Sequence, residues 1–264
     1  MIYSRRYNDY LLPLIPLALF FGGWELAAHF GLINTHLFPA PTKILAGLKT
    51  LALKESEGHS LLLLHCLVTL KRLLIAASLG ALAGVLFGLL MGINTATYSF
   101  MDPLITLLVS IPGIAMAPVF IVWLGFGDLT IVVVGAIATF FPVVYNTATG
   151  LRSMDKQLIR AARIMGASQW ATFTQVYIPW ASVFLFTGLK FGLARCWRTV
   201  VAVEFIAAAS WGMGYMIWDA SEYLRADLVY GGILLLALSF SAIEKCLIYP
   251  LEKATVEKWG MLKK

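Results

Sequence analysis

No charged residue falls between Arg72 and Asp102. The apolar centre of that stretch, Leu73 to Ile93, has about the 20 residues that a helix needs to cross the hydrocarbon of a bilayer, so it reads as a membrane-spanning helix. The pattern repeats along the chain. Pro103 to Gly127 and Leu129 to Leu151 are parted only by Asp128, within Gly125-Phe126-Gly127-Asp128, and read as a helical hairpin with a tight reversal at one membrane face. Trp180 to about Ser210 is apolar but carries Lys190, Arg195, Arg198 and Glu204. Leu228 to Tyr249 forms the last span, with Glu244 and Lys245 near its end, and Leu12 to Phe30 forms the first. Composition agrees: 13% of the 264 residues are charged and the mean hydropathy is +0.82, where a soluble domain carries roughly 25% charged residues. The expected fold class is all-α, a polytopic membrane protein with six transmembrane helices.

An even number of spans puts both termini on one side. With the termini inside, Arg5, Arg6, Arg152, Lys156, Arg160, Arg163, Lys253, Lys258, Lys263 and Lys264 fall in the cytoplasm, against Lys43, Lys49, Lys54, Lys71, Arg72 and Arg225 outside. Cytoplasmic loops are enriched in Lys and Arg, so both termini are expected inside. The excess of Lys plus Arg over Asp plus Glu, 20 to 14, then reports topology, and no nucleic-acid partner is expected. Arg5 and Arg6 ahead of the apolar run from Leu11 to Trp24 resemble a signal peptide. The run continues toward Ile33 without a small-residue cleavage site, so it reads as a retained signal anchor. Residues 34–66 then form an external segment that includes a short amphipathic helix. Residues 1–60 are expected to hold the first helix and this segment, 61–249 the main membrane domain, and 250–264 a cytoplasmic tail.

Motifs exclude several chemistries. Cys66, Cys196 and Cys246 stand singly, without C-x-x-C spacing, and read as inert thiols. His29, His36, His59 and His65 form no H-E-x-x-H pair, and there is neither a G-x-S-x-G elbow nor a G-x-x-x-x-G-K-[ST] phosphate loop. No nucleophile with a base and no metal-ligand set can be assembled, so the chain reads as a non-enzyme with no metal or cofactor of its own. It cannot hydrolyse ATP by itself through that loop.

Inside the spans, glycine and proline are informative. Gly80, Gly84, Gly88 and Gly92 recur every fourth residue, which puts overlapping G-x-x-x-G pairs on one helix face and predicts tight helix packing. Pro112, Pro118 and Pro142 lie within the hairpin, where each removes a backbone donor and tends to kink a helix. Together they suggest an element lining a pathway, with Pro112 and nearby Met116 as candidates. The charges of the fifth span are costly in hydrocarbon and face protein, water or a pathway. Arg195 and Arg198 lie about 60° apart around a helix, but Glu204 lies about 180° from Arg195 and about 120° from Arg198. Either the helix breaks near Glu204 or its carboxylate is satisfied from other helices. Arg195, Arg198 and Glu204 join Pro112 and Met116 as candidate pathway residues.

The loop after the fourth span is the most distinctive segment. A helix from Met154 to about Met165 is expected to stop at Gly166. Ser168 then caps a second helix, Gln169 to Tyr177, which halts before Pro179. Small side chains at Ala161, Ala162, Gly166 and Ala167 leave a shallow surface for a partner protein, with Arg160 and Arg163 at its rim.

Here the sequence resembles the permease subunits of bacterial ATP-binding-cassette (ABC) importers of the type I fold, whose signature is E-A-A, three residues, then Gly. Arg160-Ala161-Ala162 followed by Gly166-Ala167-Ser168 and by Val176-Tyr177-Ile178-Pro179 matches that pattern, with Arg160 in place of the Glu. Leu37-Phe38-Pro39-Ala40-Pro41, the His65–Arg72 segment, Asp102-Pro103-Leu104, Ile111-Pro112, Trp123-Leu124-Gly125-Phe126-Gly127 and Val201-Ala202-Val203-Glu204 extend the likeness over nearly the whole chain. These features are similar to the nitrate, sulfonate and taurine branch. The resemblance implies that Arg160, Ala161, Ala162, Arg163, Gly166, Ala167 and Ser168 form a coupling loop docking on a separate ATPase. It also implies a homodimer of permeases, two ATPase subunits that hold the ATP and Mg, and a periplasmic or lipid-anchored solute-binding protein. The location would be the bacterial plasma (inner) membrane, and the expected cargo is a small anionic or zwitterionic solute, taurine or another sulfonate foremost. A secondary transporter or channel working without an ATPase is the competing function. Selectivity in such systems resides largely in the binding protein, so nitrate and other anions remain open.

Overall fold

A computed structural model describes residues 14–56 and 58–252. Arg5, Arg6, Lys253, Lys258, Lys263 and Lys264, and with them most of the expected tail, lie outside the described residues. Twelve α-helices are described: α1 (Leu14–His29), α2 (Pro41–Leu53), α3 (Leu61–Ile93), α4 (Thr95–Ser110), α5 (Gly113–Leu124), α6 (Asp128–Arg152), α7 (Lys156–Ile164), α8 (Gln169–Thr172), α9 (Ile178–Ala207), α10 (Met213–Glu222), α11 (Ala226–Ile243) and α12 (Tyr249–Glu252). Glu55–Ser56 and His59–Ser60 pair as a two-residue antiparallel ladder, β1 with β2.

The six expected spans map onto α1, α3, the α4–α5 pair, α6, the α8–α9 run and α11. Four of these are long and apolar enough to cross a membrane by themselves, and the α4–α5 pair makes a fifth if its two bent halves count as one span. α1 is described over 16 residues. Two expectations need correction. The stretch from Pro103 to Gly127 is not one straight helix, because α4 and α5 meet at 98° across Ile111 and Pro112. Proline drives the residue before it out of the helical region, and Ile111 has the extended ψ of 126°. Pro103, Pro118 and Pro142 sit inside helices that continue through them. The second loop helix does not halt before Pro179 either. A π turn at Phe173–Tyr177 joins α8 to α9, Pro179 occupies the first turn of α9 where a missing amide is tolerated, and the run continues for 39 residues from Gln169 to Ala207.

The chain forms two compact units. The first gathers the described residues from Leu14 to His65 with Met216–Leu236. In it α2 buries Ile44, Gly47 and Leu51, the one-sided stripe of a surface helix. The Glu25 carboxylate of α1 accepts from the Thr42 amide (3.0 Å) and hydroxyl (2.7 Å) at the start of α2. Arg225 pairs with Asp227 at 2.9 Å. The Asp227 carboxylate lies against Gly47, where a Cβ would meet it at 2.8 Å.

The second unit gathers Cys66–Tyr215 with the described residues from Ala237 to Glu252, and α6 is its centre. The glycine stripe of α3 packs along α6. Gly80 lies against the Ala136 carbonyl and Thr139, Gly84 against Val143, Gly88 against Thr147 and Gly92 against Leu151. Receiving positions four residues apart match donors four residues apart, so both helices keep one face toward each other over three turns. On another side α6 meets α9 at Gly188 and Gly192, which approach Val143 and the Thr139 carbonyl. Met91, Ile105, Val144 and Ala148 close the core where α3, α4 and α6 converge.

Candidate functional site

The coupling-loop candidates form a helix, a reversal and a second helix. Asp155 caps α7 by accepting from the Gln157 amide at 2.8 Å. Gly166 takes a left-handed φ of +81°. The Ala167 amide donates to the Ala162 carbonyl at 3.0 Å, closing the helix end as glycine-terminated helices do. Ser168 caps α8 by accepting from the Ala171 amide at 3.1 Å. Leu158, Ala161, Ala162 and Met165 of α7 line a cleft of about 350 Å³ with Gln175, Val176, Pro179 and Trp180. The Trp180 indole donates to the Gly150 carbonyl at 3.0 Å, which ties the start of α9 to the end of α6. Arg160, Ala161, Arg163, Gly166 and Ser168 are exposed, Ala167 is half-buried and Ala162 is buried. Ala161, Gly166 and Ser168 are accessible together with both arginines, and Ala162 seats the helix.

A valine at Gly166 would have to adopt a φ that β-branched residues strongly disfavour. Gly166→Val is expected to disorder the α7–α8 reversal while leaving the α3–α6 packing intact. Hydrogen exchange of the detergent-solubilised chain should show faster exchange confined to residues 156–172, and unchanged exchange there would contradict the turn's dependence on glycine.

The pathway candidates separate into two groups. Glu204 lies in the last turn of α9, is fully buried, and has neither Arg195 nor Arg198 as a partner. Its carboxylate accepts from Arg72 Nη1 at 2.7 Å, from the Thr69 hydroxyl at 2.9 Å and from the Gly214 amide at 2.9 Å. The same Arg72 donates to the Trp211 carbonyl at 2.7 Å and to Asp128 through Nε and Nη2. Thr69 in turn accepts from the Met213 amide at 2.7 Å. Arg72 therefore joins four elements: α3, which carries it, the start of α6, the end of α9 and the 208–214 segment that follows. The Gly127 amide adds a backbone link to the Ala207 carbonyl at 2.7 Å. Gly212, with φ +141°, has no room for a side chain, since a Cβ would sit 2.6 Å from Arg72 Nη1 and 2.7 Å from the Glu204 carboxylate.

The helix break expected near Glu204 comes three residues after it, and Glu204 holds the returning chain in place. Arg72, Thr69 and Asp128 are the residues that sequence reasoning missed. With both termini inside, Arg72 counts in sequence only as one of the positive charges of the outer face. The available clue was angular: a carboxylate facing away from both arginines of its own helix requires a cation from another one.

The second group surrounds the α4–α5 bend. Arg195 donates to the Val109 and Ile111 carbonyls, both at 2.5 Å, which the break leaves without helical donors. Pro112, the exposed residue just before α5, follows directly, and Met116 is half-buried one turn on. Arg198 is exposed, with no hydrogen-bond or ion-pair partner among the described residues. Arg195→Met should therefore strand two carbonyls at the bend. Both carbonyls are part-buried, so the loss should fall below the roughly 1–3 kcal/mol of fully buried unsatisfied groups, read as a lowered unfolding temperature, whereas Arg198→Met should leave that temperature unchanged.

The comparisons with known proteins converge on one group. Residues 80–247 match the family described as binding-protein-dependent transport system inner membrane component. The taurine transport system permease protein of Escherichia coli K12 is 32% identical over 227 residues, 86% of this chain and 82% of that protein. The putative aliphatic sulfonates transport permease protein of Bacillus subtilis 168 is 30% identical over 229 residues, 86% of this chain and 79% of that one. The nitrate import permease protein of a Synechocystis strain is 27% identical over 263 residues, 96% of this chain and 93% of that one. The matched region runs from the first glycine of the α3 stripe through the loop at Gly166 and past Glu204, and the chain belongs to the family of inner-membrane components of binding-protein-dependent transport systems.

Proposed function

We propose that this chain is the pathway-forming permease of an ATP-driven importer for a small anionic or zwitterionic solute, with taurine or another sulfonate as the foremost cargo. Two copies enclose one pathway, two ATPase subunits dock on the α7–α8 loops, and a solute-binding protein delivers cargo from outside. Both termini face the cytoplasm. The observation that carries this reading is the uninterrupted 39-residue run from Gln169 to Ala207. One end bears the reversal at Gly166 and the other bears Glu204, so a displacement of the loop is transmitted along one stiff element toward the segment at 208–214. ATPase closure then shifts the balance between outward-open and inward-open states through differential affinity for the two. ATP and Mg belong to the ATPase subunits, and the permease contributes the lever.

Sulfonate cargo is supported by the relatives named for taurine and aliphatic sulfonates. Arg198 supports an anion, because an exposed guanidinium on a spanning helix faces water or a partner in preference to lipid. Arg195 is held at the α4–α5 bend, so the potential felt by the solute is assigned to Arg198. Uptake of radiolabelled taurine into vesicles holding the complete assembly tests this. Arg198→Gln should cut uptake by about tenfold, the usual effect of a 1.4 kcal/mol loss, while the binding protein still stimulates ATPase activity. Wild-type uptake by Arg198→Gln would remove the residue from the pathway.

A further inference from the structure

A polar cavity of about 330 Å³ lies within the first unit and shares no residue with the candidate pathway. It is lined by Thr35, His36 and Lys43, from the approach to α2 and its first turn, and by Leu224, Arg225 and Asp227, where α10 gives way to α11. Asp227 is the one acid in this lining, and Arg225 holds both its oxygens, through Nε at 3.0 Å and Nη2 at 2.9 Å. Arg225 Nη1 is left over. The Thr35 hydroxyl, the His36 ring and the Lys43 ammonium have no hydrogen-bond or ion-pair partner among the described residues. The cavity thus offers several unused donors, two of them on cations, and no unpaired carboxylate, which is the chemistry of an oxyanion site.

Aromatic residues mark the depth of this cavity in the bilayer. Trp24 packs edge-on against Tyr230 with ring centroids 5.8 Å apart, and the Phe38 ring lies 6.3 Å from Tyr230. Tyr230 stands about one turn along α11 from Asp227. Trp24 adjoins Glu25, whose carboxylate holds Thr42, the neighbour of Lys43. Trp and Tyr gather at the level of the lipid headgroups, so the cluster puts the cavity at that level. Apolar side chains flank it: Leu224, part of the lining, is 89% exposed, and Leu37, next to His36, is 63% exposed.

We infer that this cavity binds the phosphate of an anionic phospholipid, with Lys43 and the free edge of Arg225 on its oxygens and Leu224 against its apolar portion. Cationic donors beside exposed apolar side chains match a ligand with an anionic head and a hydrocarbon body. A free oxyanion, the cargo included, has the head without the body. A carboxylate of a protein partner would have to displace lipid, which is always present at this depth. Lipid held there bridges α2 to the start of α11, the elements that already meet at Gly47 and Asp227, and so stabilises the folded chain.

The test uses the full-length chain in a non-ionic detergent, with phosphatidylglycerol, phosphatidylcholine or inorganic phosphate added at equal concentration. Phosphatidylglycerol should raise the unfolding temperature at low salt, and phosphatidylcholine should not. Lys43→Glu should need at least tenfold more phosphatidylglycerol for half the shift, while its unfolding temperature without lipid stays that of wild type. Lys43→Arg should respond as wild type. Lys49→Glu makes the same charge change on α2 outside the cavity and should also respond as wild type, which separates a built site from general attraction to an anionic micelle. Phosphatidylglycerol that co-purifies with wild type should be depleted at least tenfold in Lys43→Glu, read by mass spectrometry. Equal responses of Lys43→Glu and wild type would overturn the inference. A shift from inorganic phosphate as large as that from phosphatidylglycerol would overturn it in favour of a free anion. An unchanged lipid response in Lys43→Glu, accompanied by lost stimulation of the complete assembly by its solute-binding protein, would overturn it in favour of a protein contact.

Discussion

Replacing Arg72 by methionine is expected to destabilise the folded chain by about 3–5 kcal/mol, the cost of removing one partner from a buried ion pair. The side chain is 4% exposed and that of Glu204 is wholly buried, so the variant keeps a buried carboxylate that has lost its cation, while the Thr69 hydroxyl and the Gly214 amide still donate to it. The loss should appear as a lowered unfolding temperature in detergent, and as proteolysis within 208–214, because the Trp211 carbonyl loses its donor too. The double variant Arg72→Met/Glu204→Met should be more stable than the sum of the single losses implies, since it removes the stranded charge along with its partner. Additive losses would mean that the two side chains do not depend on each other.

Replacing Gly80 by leucine should prevent recovery of folded protein altogether. A Cβ there would overlap the Ala136 carbonyl and sit 2.7 Å from the Thr139 Cβ. A backbone carbonyl cannot swing aside as the end of a flexible side chain can, so α3 would have to leave α6. Overpacking costs about 1–3 kcal/mol where neighbours yield, and separation of the two helices costs more because the whole stripe through Gly92 is lost together. Gly22→Leu supplies the control, because a Cβ at Gly22 meets nothing within 4 Å. Folded yield from size-exclusion chromatography distinguishes them: Gly22→Leu should resemble wild type, and Gly80→Leu should be absent from the folded peak. A normal yield from Gly80→Leu would contradict the close packing.

The glycine stripe and the Gly166 reversal were legible because each depends on local spacing. A four-residue glycine repeat defines a helix face whatever it packs against, and glycine followed by serine two residues later stops one helix and caps the next. The partner of Glu204 was not legible, since Arg72 lies 132 positions away and nothing local joins them. Pro112 looks in sequence like Pro118 and Pro142. What distinguishes it is tertiary, namely the Arg195 guanidinium that takes up the carbonyls freed by a break at that point. Pro179 misled for the opposite reason: the residues before it form a π turn that feeds α9, and a proline in a first turn ends nothing.

This chain is expected to move solute only when an ATPase drives it. Purified chain in vesicles, alone and together with its ATPase subunits and solute-binding protein, should be assayed for uptake of labelled taurine with MgATP inside and with a proton or sodium gradient in its place. Uptake only in the complete assembly, and only with hydrolysable ATP, is the expected result. Gradient-driven uptake by the chain alone would contradict it.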